Sequence, residues 1–220
     1  MQCIKDTIKN INIVIGCNIG CSYCYARMNN NRFHTIDDFN KPVFFENKLK
    51  MLNNKRHTAY LLTGQSDLSG WNEEWKGKVF SKMKENENTQ YIFLTKRPEN
   101  INLKETPDNG WFGVTVTSSK EKTRIDYLRN NIKAKHYHIT FEPMFDDVGK
   151  LDLNNISWIV IGTETGNRKG KISSKREWVF NIYNQAKEKN IPVFMKEDLL
   201  GILNEDEFVQ EFPKEFGGIK

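Results

Sequence analysis

Cys17, Cys21 and Cys24 place three of the chain's four thiols within one eight-residue stretch, with the spacing C-x3-C-x2-C. Thiols crowded in this way serve metal ligation or redox chemistry in a reducing compartment, where structural disulfides do not persist. Three thiolates can hold three irons of a [4Fe–4S] cubane and leave the fourth iron without a protein ligand. An open coordination position is where a metal binds and activates a substrate. Gly16 and Gly20 permit the tight backbone that wrapping a cluster demands. Zinc is the alternative. Cys17, Cys21, Cys24 and His34 make up a Cys3His set, although zinc ligands usually come as two separated pairs and this loop offers one triplet. Cys3 stands apart and reads as a small buried hydrophobe or an incidental thiol.

Other groups capable of chemistry collect at the ends of short apolar runs. The runs are Ile11–Ile15, Thr58–Leu62, Gln90–Leu94, Trp111–Val116, His136–Phe141, Trp158–Ile161 and Pro192–Met195. They stop, in turn, at Gly16-Cys17, Thr63-Gly64-Gln65-Ser66-Asp67, Thr95-Lys96-Arg97, Thr115-Val116-Thr117, Glu142-Pro143, Gly162-Thr163-Glu164-Thr165 and Lys196-Glu197-Asp198. The β-branched, aromatic and aliphatic content predicts buried parallel strands. Helices are predicted between them, near Ser22–Met28, Asn72–Lys84, Lys120–Asn130 and Ser174–Lys189. Ser173 and Ser174 are possible caps for the last, and Trp178, Ile182 and Ala186 follow at spacing four. Strands alternating with helices imply right-handed βαβ units. The expected fold class is α/β, a parallel (β/α) barrel of about six to seven strands, partial or nearly closed. A doubly wound sheet is the rival, weakened because no G-x-G-x-x-G follows a strand. Parallel barrels carry their active sites where the strands end.

One domain over residues 1–220 is expected, with a core at about 10–197 and a tail, 198–220, able to cover one end. Residues 29–54 read as a lid or helix pair, with Phe33, His34, Phe39, Phe44 and Phe45 as packing. Thr115 and Thr117 alternate on one strand face and suit either a barrel lining or packing. Glu142 and Glu164 follow strongly apolar runs, which puts their carboxylates at the barrel mouth, because burying an unpaired charge is expensive. Lys196 is placed to pair with either. Apolar residues make up 38% and charged residues 28%, with 14 Phe, 7 Tyr and 5 Trp to fill a core. No run reaches the roughly 20 apolar residues of a membrane span. The opening MQCIKDTIKN lacks an apolar signal segment, so a cytoplasmic, soluble protein with no membrane partner is expected. The net charge of +5 suits a solvated basic surface or a nucleic-acid footprint.

With Tyr23 just before its last cysteine, the C-x3-C-x2-C loop resembles the hallmark of the radical SAM superfamily. That resemblance implies a [4Fe–4S] cluster on Cys17, Cys21 and Cys24, S-adenosylmethionine chelated by the open iron, and an external flavodoxin- or ferredoxin-like electron donor. It implies that Tyr23 lies near the adenine. The turn Gly64-Gln65-Ser66-Asp67 stands where such proteins carry a G-G-E-type turn for the amino group and departs from it, though Gln65, Ser66 and Asp67 can still accept from an ammonium group. Lys96 or Arg97 would take the carboxylate. Val160-Ile161-Gly162-Thr163-Glu164 resembles the glycine-containing strand near the adenine. The chain also looks like a phage-associated, radical-SAM-like family through Ser66-Asp67-Leu68, Leu94-Thr95-Lys96-Arg97-Pro98, Trp111-Phe112-Gly113-Val114-Thr115-Val116, Phe141-Glu142-Pro143 and Gly162-Thr163-Glu164-Thr165-Gly166. More distantly it is similar to spore photoproduct lyase. These likenesses imply reductive cleavage of S-adenosylmethionine to a 5′-deoxyadenosyl radical, acting on a nucleic acid, nucleotide or nucleobase-like compound. Radical modification of a peptide or small metabolite and a non-catalytic zinc or iron–sulfur module are the other readings.

Overall fold

A computed structural model describes residues 2–54 and 58–217. Seven strands form one parallel sheet, curled into a half-barrel. They are β1 (Ile8–Asn10), β4 (Ala59–Leu61), β5 (Gln90–Thr95), β6 (Gly110–Thr115), β7 (His136–Phe141), β8 (Ile156–Ile161) and β9 (Val193–Met195), and they lie in that order. Two short strands, β2 (Val14–Ile15) and β3 (Val43–Phe44), pair antiparallel outside the sheet. The helices are α1 (Ile4–Thr7), α2 (Tyr25–Phe33), α3 (Glu73–Lys84), α4 (Thr123–Asn131) and α5 (Arg176–Glu188).

Successive strand residues point to opposite faces of a sheet, and both faces here are apolar. Tyr60, Phe93, Phe112, Ile161 and Met195 join a core with Val79 and Met83 of α3, Ile125 and Leu128 of α4, and Val179, Ile182 and Ala186 of α5. Their neighbours Ala59, Ile92, Trp111, Val160 and Phe194 form a second cluster inside the curl, with Trp158 and Phe216. Phe216 sits edge-on to Trp111 and Trp158, at centroid distances of 4.8 and 5.3 Å. The tail therefore fills the concave face. It also covers the β9 edge, where the Met195 amide donates to the Val209 carbonyl at 2.8 Å and Glu211 donates to Val193 at 2.8 Å. Gln210 then exchanges hydrogen bonds with Gln2, just ahead of the opposite edge strand.

Several expectations are corrected. The apolar run Ile11–Ile15 is not the first sheet strand. β1 precedes it and pairs with β4 at Ile8 and Ala59. Ile13, Val14 and Ile15 are buried instead beneath the 43–45 segment, onto which the Phe45 amide reaches back to Ile13 at 2.8 Å. α2 starts three residues late because Cys24 caps it. α5 is preceded by Lys175 with no side-chain cap. Ser174 turns inward to Thr163 and Met144 instead. Residues 29–54 hold the rest of α2, β3 and a 3-10 helix at Glu46–Asn53. Cys3 is half-buried, and its thiol donates to Glu197 at 3.0 Å. Among the described residues no helix is long and apolar enough to cross a membrane.

Candidate functional site

The cysteine loop lies between β2 and α2, tied to the end of β4 through the Gly16 amide, which donates to the Gln65 carbonyl at 3.0 Å. Gly16, at φ 115°, packs so tightly on Pro42 that a side chain would collide with its Cα. Gly20, at φ 80°, has no heavy atom within 4 Å of where a side chain would begin, so the middle of the loop faces open space. All three thiols are free and half-buried. The Cys24 sulfur accepts from the Arg27 amide at 3.4 Å, and the Arg27 guanidinium donates to the Cys17 carbonyl at 2.7 Å. Burial pushes the Cys17 thiol upward, while the nearby Lys96 ammonium works against that rise. Among the described residues no three His, Cys, Asp or Glu groups converge as ligands of a single ion. His34 ends α2, about 15 Å along the axis from Cys24, so it does not complete a Cys3His zinc site. The sulfur donors themselves suit an iron–sulfur cluster, whose three ligands bind three separate irons.

Tyr23 and Lys96 gather beside this loop, and Arg97 follows Lys96 at the end of β5. The Lys96 ammonium stands 6.0 Å from the centre of the Tyr23 ring, and that ring meets Phe145 edge-on at 5.4 Å. Burial is the main cause raising the Tyr23 phenol far above its ordinary value, and a hydrogen bond with Cys21 adds to it. Among the described residues neither Lys96 nor Arg97 is ion-paired with a carboxylate; both are half-buried at the end of β5, and the Lys96 ammonium acts on Cys17.

The turn after β4 is differently built from the expectation. Buried Asp67 accepts from the Ser69 amide and hydroxyl, from the Thr95 hydroxyl and, at 2.8 Å, from the Lys96 amide. Its carboxylate is thus a brace between strand ends. Ser66 accepts from the Trp71 indole at 3.0 Å. Gly64 offers its carbonyl to the Tyr25 hydroxyl at 2.5 Å. The acceptor left without a partner there is the amide oxygen of Asn12, which a side chain on Gly64 would approach to 3.0 Å.

On the opposite side, Lys196 is ion-paired with Glu142 and lies 3.1 Å from Asp198. Gly162 lies against this trio, where an added side chain would reach Asp198 and Lys196 at 3.1 Å and Glu142 at 3.2 Å. Tyr25 is within electrostatic reach of Glu142, Cys24 and Lys196. Glu164 is not at the mouth with Lys196. It is 3% exposed and gripped by Arg168, whose guanidinium donates at 2.5 and 2.8 Å and holds the carboxyl below its usual range. Thr115 is buried, and its carbonyl accepts from Arg124 at 2.7 Å. Thr117 donates to Glu121, which also pairs with Arg124. Sequence reasoning missed Tyr25, Arg168 and Asn12, and it named Asp198 at a strand end without its partner Lys196. Tyr25 abuts the last cysteine, and Arg168 falls four after Glu164. Nothing in the sequence marks Asn12.

A family model described as "Protein of unknown function (DUF5131)" matches residues 2–217. Lipase 1 of Staphylococcus aureus strains Mu50, N315 and COL is 35% identical over 98 residues, 44% of this chain. The chain spans only 14% of the length of these curated relatives. No solved structure matches it. These findings overturn the likeness to the radical SAM superfamily, to its phage-associated relatives and to spore photoproduct lyase. A family of unknown function matches almost end to end, and no radical SAM family is found with it.

Proposed function

Because the chain belongs to DUF5131, a family of unknown function, we propose its activity from its own residues: Cys17, Cys21 and Cys24 hold a [4Fe–4S] cluster that cleaves S-adenosylmethionine reductively. The observation that carries this reading is the meeting of three free thiols with the Lys96 ammonium at the end of β5, which acts on Cys17 and lies over the Tyr23 ring. When bound, the cluster would supply an electron, from a flavodoxin- or ferredoxin-like donor, to a sulfonium ligand whose carbon–sulfur bond then breaks to methionine and a 5′-deoxyadenosyl radical.

The chain's residues do the positioning. Lys96 or Arg97 takes the carboxylate of the amino acid part, and a guanidinium does so in two-pronged fashion. The unsatisfied Asn12 oxygen accepts from the ammonium group, a role the occupied Asp67 and Ser66 cannot readily fill. Tyr23 lends an apolar wall beside Cys21. Glu142, Lys196 and Asp198 form the far wall, and Tyr25 sits between it and the cysteines. The partial lipase likeness supports no second reading. Among the described residues no serine hydroxyl is hydrogen-bonded to a histidine ring, the pair that acyl transfer needs.

The test is anaerobic reconstitution with iron and sulfide, followed by iron counting, visible absorption and a 5′-deoxyadenosine assay under dithionite. Protein with about four irons that releases 5′-deoxyadenosine supports the reading. Absorption unchanged by alanine at Cys17, Cys21 and Cys24, or protein that takes up no iron–sulfide core, overturns it.

A further inference from the structure

The connection from β8 to α5 carries four cations and no carboxylate between Gly166 and Arg176. Such a run is ordinarily a solvated surface, but this one is held in shape from beneath. Its base is stitched by the Ser174 hydroxyl, which donates to the Met144 carbonyl and accepts from the Thr163 hydroxyl, both at 3.0 Å. Its middle is pinned by Glu164, a buried carboxylate that grips Arg168 and accepts from the Ile172 amide at 3.3 Å. Burying that carboxylate is unfavourable unless it is fully paired, so the anchor fixes the loop in one form. Arg176 pairs with Glu207, and Lys175 lies over Trp178. Lys169 and Lys171 remain exposed, and among the described residues neither has an ion pair. Gly170 stands between them at φ 73° with nothing within 4 Å of its missing side chain, which leaves the backbone open to approach.

Neighbouring loops extend this charge along the rim. Ser119, after β6, donates to Asp146 at 2.7 Å, and Met144, after β7, is bonded to Ser174. Exposed Lys120 therefore belongs to the same row of strand-end loops as Lys169 and Lys171. From β6 to β8 is two strand spacings, about 10 Å, the rise of about three nucleotides at roughly 3.4 Å each.

We infer that the loop Gly166–Lys175, with Lys120, binds the phosphodiester backbone of a nucleic-acid strand laid across the strand-end rim. The inference rests on the proposed activity in that it names the substrate class of the same site. Fixed cations bind a polyanion without first paying the entropy of ordering a loop. The loop carries no aromatic ring to stack on bases, so recognition is by phosphate and independent of sequence.

The experiment is fluorescence anisotropy of a labelled single-stranded oligonucleotide over a salt series, with protein that needs no cluster loading. Each lost phosphate contact lowers the slope of log affinity against log salt by about 0.7, so K169A/K171A lowers it by about 1.4 and weakens binding about 25-fold at 0.1 M salt. K84A/K133A, at positions preceding β5 and β7 at the other end of the sheet, leaves both unchanged. Equal losses in the two double variants overturn the inference, as does absence of binding at 50 mM salt. Binding to phosphatidylserine vesicles that is tighter than to the oligonucleotide and depends on the same lysines also overturns it, in favour of a membrane surface. None of these outcomes alters the iron count or 5′-deoxyadenosine yield, so failure here is distinguishable from failure of the cluster proposal.

Discussion

Replacing Gly113 by alanine would drive a methyl group into the ring of His138, closer than 3.0 Å to Nε2, Cε1 and Cδ2. The ring has nowhere to go. It is 1% exposed, it lies 6.0 Å from the Trp158 centroid, and its Nε2 is 3.1 Å from the Phe93 carbonyl. A carbonyl only accepts, so Nε2 carries the proton. Overpacking of this kind costs about 1–3 kcal/mol. Displacing the ring also leaves a buried carbonyl without its donor, another ~1–3 kcal/mol. The sum centres on about 4 kcal/mol, which for a chain of this size lowers the melting temperature by about 10 °C. Urea denaturation followed by tryptophan fluorescence reads it directly. The double variant G113A/H138A relieves the clash, so its loss falls short of the sum of the single losses by at least about 1.5 kcal/mol. A G113A loss under about 1 kcal/mol, or additive singles, would refute the packing argument.

Two further outcomes follow from buried polar groups. Burial lowers the His138 pKa to about 4, against about 6.5 when unfolded. The unfolded chain thus binds the extra proton between those values. The contribution is whole above pH 6.5 and is lost as pH falls toward 4, about 3 kcal/mol in all. Urea midpoints for H138Q should lack this part of the slope, and a variant with the wild-type slope would show that another group titrates. D67N sets an amide NH2 against one of the donors that Asp67 now accepts. About 2–3 kcal/mol of stability should go with it, seen as a melting temperature lower by roughly 5–10 °C, and an unchanged melting temperature would deny the brace.

The strands from β5 to β9 were legible because burial on both faces requires unbroken apolar runs. His136–Phe141 matches β7 residue for residue. Ile11–Ile15 misled because an equally apolar segment can be buried by an antiparallel pair outside the main sheet, and the shorter, more polar Ile8–Asn10 took the sheet position. The cysteine loop and the polar strand ends could be read from residue type and spacing. Their pairings could not. Glu164 chose Arg168 over Lys196 because a partner four residues away in the same loop closes more easily than one across the sheet. Asp67 looked like a free acceptor, and only the approach of Thr95 and Lys96 from the next strand revealed that it was occupied.

Phe212 and Phe216 are the last residues of the concave face to leave the ribosome. From β4 onward strands can zip in order of synthesis, each beside its predecessor, while β1 pairs with β4 only after β2 and β3 have been made. Yet a nascent chain halted before residue 212 displays a wet, greasy trough of Ile92, Trp111, Trp158 and Phe194. Exposed apolar surface of that sort draws chaperones and promotes aggregation. Docking of the 212–216 segment is therefore the step that takes this apolar trough out of water.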